Sequence, residues 1–190
     1  MTRASVSTAP AERHLRLLSC NILAGASVQR YRQYVTRSLS AVLPGRSKMD
    51  NLDRLAEVLA QFGEGDNALA VMVAHLSLSA QARARQLGFI AELLQDFPHA
   101  VLMGDLNAEP GSAEMKQLFT KSTLQPPAQP TPTFPSWKPR RALDHILTSP
   151  AITLEKTWAL PQAFSDHLPL AAEIRLPAHV GGKASAKRSR

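Results

Sequence analysis

The sequence predicts a layered α/β or α+β sandwich. Strand-like and helix-like segments alternate along the chain, strands outnumber helices, and several strands are apolar on both faces. A chain of 190 residues fits one domain, and 44% hydrophobic residues can build a core without disulfide staples. Cys20, the only cysteine, has no zinc-type Cys or His spacing around it, which suits a reducing compartment. No signal-peptide run or bilayer-length apolar stretch occurs, so the expectation is a soluble, cytoplasmic protein. The net charge of +7 is concentrated at the end, because Lys183, Lys187, Arg188 and Arg190 lie in "GGKASAKRSR" and leave about +3 elsewhere. That composition predicts a disordered solubilising tail over 177–190, with transient polyanion binding as the second reading.

A flexible stretch over 1–13 precedes a strand at "HLRLLSC", His14 to Cys20, which stops at the turn residues of "NILAG". Cys20 falls within that strand pattern, where a buried, inert thiol is the default. Residues 26–49 show no clean period and read as an irregular basic surface segment. "MDNLDRLAEVLAQF" places Leu52, Leu55, Ala56, Leu59 and Phe62 at helical spacing and predicts an amphipathic helix stopped by Gly63. "ALAVMVAH" is a near-continuous apolar run, predicted as a doubly covered strand ending at His75.

The next helix follows Ser79 as N-cap, with Leu87, Ile90, Leu94 and Phe97 at three- and four-residue steps. "HAVLMG" is another buried strand, and "GSAEMKQLF" a short helix. Six prolines between Pro126 and Pro139 make a loop that cannot pair as a central strand. Two final strands are expected in "RALDHILTS" and "HLPLAAEIRL". The single domain therefore runs over 14–176.

Polar residues terminate these strands. Asn21 ends the first strand, and His75, Asp105, Asp144 and the pair Asp166-His167 fall at or near the ends of other apolar strands. Asp105 and Asn107 are two apart, so an extended chain would project both to one side with Leu106 inward. Taken singly, each has an ordinary structural explanation. His75 can be a hydrogen-bonded core residue, "GDLN" a turn and "SDH" a loop triplet. Asp144 between Leu143 and Ile146 is harder to dismiss, because a buried carboxylate there needs a donor or cation.

In order, "SCNI", "AHL", "GDLNAEP", "ALDHIL" and "SDHLPL" resemble the endonuclease/exonuclease/phosphatase superfamily, which includes DNase I-like nucleases and phospholipid phosphodiesterases. The resemblance runs from about His14 to about Leu176 and implies a DNase I-like sandwich of two mixed β-sheets flanked by helices. It implies metal-dependent hydrolysis of phosphoester bonds, with Asp105 acting on the water, Asn107 holding the nucleophile or a phosphoryl oxygen, and His75 and His167 on the phosphate. Asp144 would orient His167 and keep it cationic. Asp166 and Asn21 would serve the metal, and oxygen ligands suit Mg2+ or Mn2+. Arg83 and Gln86 match a recurring Arg-x-x-Gln, from which Arg83 would bind substrate, and "PTFPSWKPRR" resembles a family loop in which Trp137 and Arg140 or Arg141 would touch substrate. A solvated helix face and a packing plug are the structural alternatives. The implied partner is a phosphoester substrate, either nucleic acid or a phosphorylated small molecule or lipid headgroup.

The chain departs from the family in its N-terminal half. A metal-binding Glu, usually in Leu-Gln-Glu on a strand after the first helix, is absent, because the predicted helix ending at Phe62 passes through "GEGDN" directly into the His75 strand. Glu64 or Asp66 would be the substitutes. The loss predicts weak metal affinity, low rate, and uncovered sheet edges with apolar surface. The competing function is a degenerate, non-catalytic module that binds phosphate or nucleic acid. A thiol hydrolase built on Cys20 is disfavoured by the strand context.

Overall fold

A computed structural model of the chain describes residues 12–21 and 59–181, which form two sheets and two α-helices. The first sheet is antiparallel, with β7 (Leu170–Leu176) between β1 (Arg13–Ser19) and β6 (Thr153–Ala159). The second runs in the order β2 (Leu59–Phe62), β3 (Leu69–His75), β4 (His99–Asp105), β5 (Asp144–Thr148). Only the β3–β4 pair is parallel. Parallel neighbours need a long crossover, which α1 (Ala80–Leu94) supplies, and α2 (Ala113–Lys121) follows β4.

β4 explains the apolar run in "HAVLMG". Every residue of the strand is buried, and alternate side chains enter different cores. Ala100 and Leu102 pack with Met72 and with Leu87, Ile90 and Leu94 of α1, together with Met115 and Leu118 of α2. Val101 and Met103 face the other sheet and meet Ile146, Leu170 and Ile174. Each fully buried Leu or Ile in these layers contributes roughly 1.5–3 kcal/mol. Ser112 caps α2 by accepting the Met115 N–H at 3.3 Å. Ser79 stands at the N-cap position of α1 without a side-chain cap bond.

Gly104 is where β3 and β4 come closest. Its φ is 131°, and a Cβ there would lie 2.0 Å from the carbonyl oxygen of Ala74. Backbone cannot yield as a flexible side chain can. Gly104→Ala is therefore expected to destabilise the fold by about 2–4 kcal/mol, through strain and disrupted pairing beside Asp105. Urea unfolding checks this, and a variant as stable as the parent would contradict it.

Leu59–Phe62 is a strand, not the end of the predicted helix over 49–62, and pairs antiparallel with Leu69–Met72. Gly63 and Gly65, with φ of 86° and 56°, reverse the chain between them. Edge pairing with β3 outweighs the weak helical preference of four residues. The remainder of that predicted helix, and the segment over 26–49, lie outside the described residues. β6 went unread because it is an exposed edge strand with a register irregularity between Leu154 and Lys156, which breaks the period-two pattern.

The body also extends beyond 176, against the predicted tail. Val180 is fully buried and the Gly181 N–H donates to the Asn67 carbonyl at 2.8 Å. The rest of that tail, 182–190, lies outside the described residues, as does 1–11 of the predicted flexible N-terminus; Arg13 already belongs to β1. Among the described residues β1 and β2 pair on one side only, and Leu18 and Phe62 are more than half exposed. No helix among the described residues is long and apolar enough to cross a membrane.

Candidate active site

Strand register brings the predicted residues together. His75 is the direct neighbour of Asp105 across the parallel β3–β4 pair, and Asp105 of Asp144 across β4–β5. In the other sheet Ser19 pairs with Leu170, which delivers the Asn21 and Asp166-His167 loops to the same end. Asn21 donates from Nδ2 to Asp105 Oδ2 at 2.8 Å. His75 Nε2 and His167 Nε2 lie 3.6 and 3.7 Å from that same oxygen. Two ring nitrogens thus approach one carboxylate at slightly more than hydrogen-bond length. An open cavity of about 490 Å³ adjoins this point, lined by Ser19, Cys20, Asn21, His75 and Asp105 among others.

Asn107 reaches the site by a different path from the extended one expected. Its φ is 51°, and the Asp105 Oδ1 accepts its backbone N–H at 2.9 Å, so the segment turns directly after Asp105. Asn tolerates this left-handed conformation better than most residues. Its Nδ2 donates to the Leu76 carbonyl at 2.8 Å, while Leu106 is fully buried as predicted.

His145, which no motif reading singled out, holds the other side of this turn. Its Nε2 donates to the Ala108 carbonyl at 2.8 Å, and burial lowers its pKa, so the buried ring is neutral. His145→Phe would leave that carbonyl unpaired and is expected to cost about 1–3 kcal/mol of stability. His145→Gln, which can return a donor near the same place, should recover part of the loss in denaturant melts.

Asp144 is almost fully buried and accepts from His167 Nδ1 at 2.7 Å and from the Thr133 hydroxyl. Burial alone would lower the His167 pKa. The hydrogen bond to Asp144 and the charges of Asp144, Asp105 and Asp166 outweigh it, and the net shift is upward. For Asp105, burial first and the Asp144 charge second raise the pKa, against the pull of His167, the Asn107 N–H and His75.

Asp166 is buried with Oδ1 lacking any partner, and burial raises its pKa. An orphaned carboxylate oxygen is what a metal would satisfy. Asn21 gives its Nδ2 to Asp105 and so retains an oxygen for a cation. Asp105, Asp144 and His167 also cluster closely enough to hold an ion. Asp144, however, already accepts from His167 and Thr133. The residues fit a divalent cation. Neither proposed substitute for the missing Glu reaches the site. Glu64 and Asp66 precede β3, at the end opposite His75, on the order of 20 Å away by strand rise. β2 itself, Leu-Ala-Gln-Phe, carries no carboxylate.

The three residues assigned to substrate fare differently. All three guanidinium nitrogens of Arg83 are engaged inside the protein, with Glu114 and the carbonyls of Ser77 and Leu78. Those bonds run to the loop after β3 and to the first turn of α2. Arg141 pairs with Glu109 at 2.8 Å, both about half exposed. Trp137 is 42% exposed on the proline-rich loop, whose Ser136 N–H donates to the Asp166 carbonyl at 2.7 Å. Cys20, expected buried, is exposed just past β1.

Sequence reasoning missed Thr133, Ser136 and Ser165. The Ser165 hydroxyl accepts the His167 N–H at 3.1 Å, and the Ser136 hydroxyl donates to the Ser165 carbonyl at 2.9 Å. Their signal was slight, since hydroxyls in loops are common. Phe134 packs against the His167 ring with centroids 4.9 Å apart.

Two packed sheets carrying carboxylates, imidazoles and an amide at one shared end define an α/β sandwich of the DNase I-like type. The model of the endonuclease/exonuclease/phosphatase family matches residues 44–167, and the chain belongs to that family. No curated protein matches it. Among solved structures it is similar to a functionally unknown conserved protein from Enterococcus faecalis, at 27% identity, covering 56% of this chain and 50% of that one with a TM-score of 0.48. It is also similar to a mannosyl-6-phosphatase from Bacteroides thetaiotaomicron, at 17% identity, 56% and 50% coverage and a TM-score of 0.47. A third is a beta toxin from Staphylococcus aureus with bound magnesium ions, at 17% identity, 60% and 56% coverage and a TM-score of 0.47. The chain thus spans about half the length of these structures.

Proposed function

We propose that the chain hydrolyses phosphoester bonds with the help of a divalent cation. The observation that carries this reading is the convergence of His75 Nε2 and His167 Nε2 on Asp105 Oδ2, at 3.6 and 3.7 Å, with Asp144 behind His167. A phosphoryl group beside Asp105 would meet two imidazole N–H donors. Asp105, with its raised pKa, suits a base that takes a proton from the attacking water. His167, held cationic by Asp144, would donate from Nε2 to a phosphoryl oxygen, and His75 would donate to another. Asn107, anchored by one amide proton to Leu76, retains a second for the nucleophile or the phosphate. Asp166 and Asn21 would hold Mg2+ or Mn2+, which supplies neutralisation of phosphoryl charge when bound. Trp137 and Arg141 are proposed to touch the remainder of the substrate, and a nucleic acid or a phosphorylated small molecule or lipid headgroup suits this chemistry.

A second reading, a phosphate-binding module without turnover, is favoured by the lack of any carboxylate on β2 and the remoteness of Glu64 and Asp66. One experiment separates the two. Hydrolysis of an aryl phosphodiester and nicking of plasmid DNA are measured with magnesium, with manganese, and with EDTA. We expect turnover with either metal and its loss in EDTA. Phosphate binding indifferent to EDTA, with no turnover under any condition, would establish the module instead.

A further inference from the structure

We propose that Arg83 and Glu114 are positioning residues that set the Asn107 amide by locking the loop after β3 onto the first turn of α2. The inference rests on the catalytic reading of Asn107 given above. Arg83 Nη2 and Nε both donate to Glu114 Oε1, at 2.7 and 3.0 Å, and the two side chains are only 13% and 9% exposed. The remaining nitrogen, Nη1, donates to the Leu78 carbonyl at 2.7 Å and to the Ser77 carbonyl at 3.3 Å. One helical turn on, Gln86 Oε1 accepts the Ser77 N–H at 3.0 Å. The Arg-x-x-Gln pair of α1 therefore grips Ser77 and Leu78 in the four-residue loop between β3 and α1.

The same loop touches the site from its other side. The Leu76 N–H donates to the Asp105 carbonyl at 2.9 Å, and the Leu76 carbonyl accepts Asn107 Nδ2 at 2.8 Å. Glu114 lies in the first turn of the helix that follows the Asn107 turn. The ion pair thus joins the two loops that carry His75 and Asn107, at their outer ends. A buried ion pair gains little stability over an apolar replacement, but its forked geometry fixes direction. Lysine carries its three donors on one nitrogen and does not reproduce the spread of the three guanidinium nitrogens that reach Glu114 and two carbonyls.

The test uses the full chain. Exchange of the Asn107 side-chain amide protons with solvent is read by NMR, the resonances being those lost in Asn107→Ala. We expect protection in the parent, and exchange about tenfold faster in Arg83→Lys and Glu114→Gln as the Leu76 carbonyl loses its fixed position. Should these variants fold poorly, the double variant Arg83→Met/Glu114→Leu keeps the packing and is expected to show near-parental Tm with the same fast exchange. Unchanged Asn107 exchange in every folded variant overturns the proposal whatever the activity. In turnover assays Arg83→Lys should lower kcat about tenfold with KM within about twofold, and add nothing in an Asn107→Ala background. A full, multiplicative loss in that background overturns it too, because a merely structural pair acts that way. If Asp105→Ala leaves turnover intact, the catalytic reading fails, while the exchange measurement still decides whether the pair sets the amide.

Discussion

Asp105→Asn is expected to lower kcat/KM on an aryl phosphodiester by about a thousandfold while leaving the fold intact. The substitution keeps the shape of the side chain and an oxygen for the Asn107 N–H, which bonds Asp105 Oδ1 at 2.9 Å. What it removes is the charge on which Asn21, His75 and His167 converge. An amide cannot take a proton from water. Stability should hold or rise, because Asp105 is a buried carboxylate beside a second one, Asp144, and both burial and that neighbour disfavour its charged form. A variant that retains activity within about tenfold of the parent would remove Asp105 from the chemistry, since a lost general base costs on the order of a hundredfold or more.

Asp144→Asn is expected to cost a loss on the order of a thousandfold, by a different route. Asp144 is almost fully buried and would touch no substrate; it would fix the His167 ring through the 2.7 Å contact to Nδ1. With Asn in its place the ring loses the partner that keeps Nδ1 protonated and Nε2–H directed at Asp105. Nitrogen chemical shifts of His167 should then move toward a neutral, mixed tautomer in the variant. Parent-like shifts with parent-like kcat would mean that Asp144 serves the core alone. The Thr133 hydroxyl, which also bonds Asp144, should make Thr133→Val a milder version of the same defect.

Much of this site was legible before the fold was known. Asp144 drew notice because a carboxylate between Leu143 and Ile146 needs a partner, and His167 and Thr133 are those partners. β3, α1, β4 and α2 were legible in the apolar runs and helical spacing; β4 is buried throughout and Leu87, Ile90 and Leu94 of α1 are buried, whereas β3, expected to be covered on both faces, leaves Val73 40% exposed and His75 exposed. Arg83 shows the limit of such reading. Its spacing to Gln86 marked a pair on one helix face, but a helix face can turn toward solvent, substrate or a neighbouring loop. Glu114, 31 residues away, decided which.

His145 was invisible for a related reason. In "LDHIL" it alternates with Asp144 and must face away from it, and only the packed turn at Ala108 gives that direction a function. Leu59–Phe62 was misread because four residues carry too little pattern to distinguish a helix end from an edge strand, and the pairing with β3 that settles it lies in another segment.

By itself, the chain's order of apolar and polar residues determined which segments are buried and that polar groups stand at their ends, because solvent exclusion acts on each segment locally. Tertiary structure alone decided which of those groups meet. Register between separate strands aligned His75, Asp105 and Asp144 side by side, a turn swung Asn107 out of the strand direction, and burial left one oxygen of Asp166 without a partner. Hydrogen-bond distance, shared charge and desolvation depend on positions in space, and residues far apart in sequence acquire these only when the sheets close.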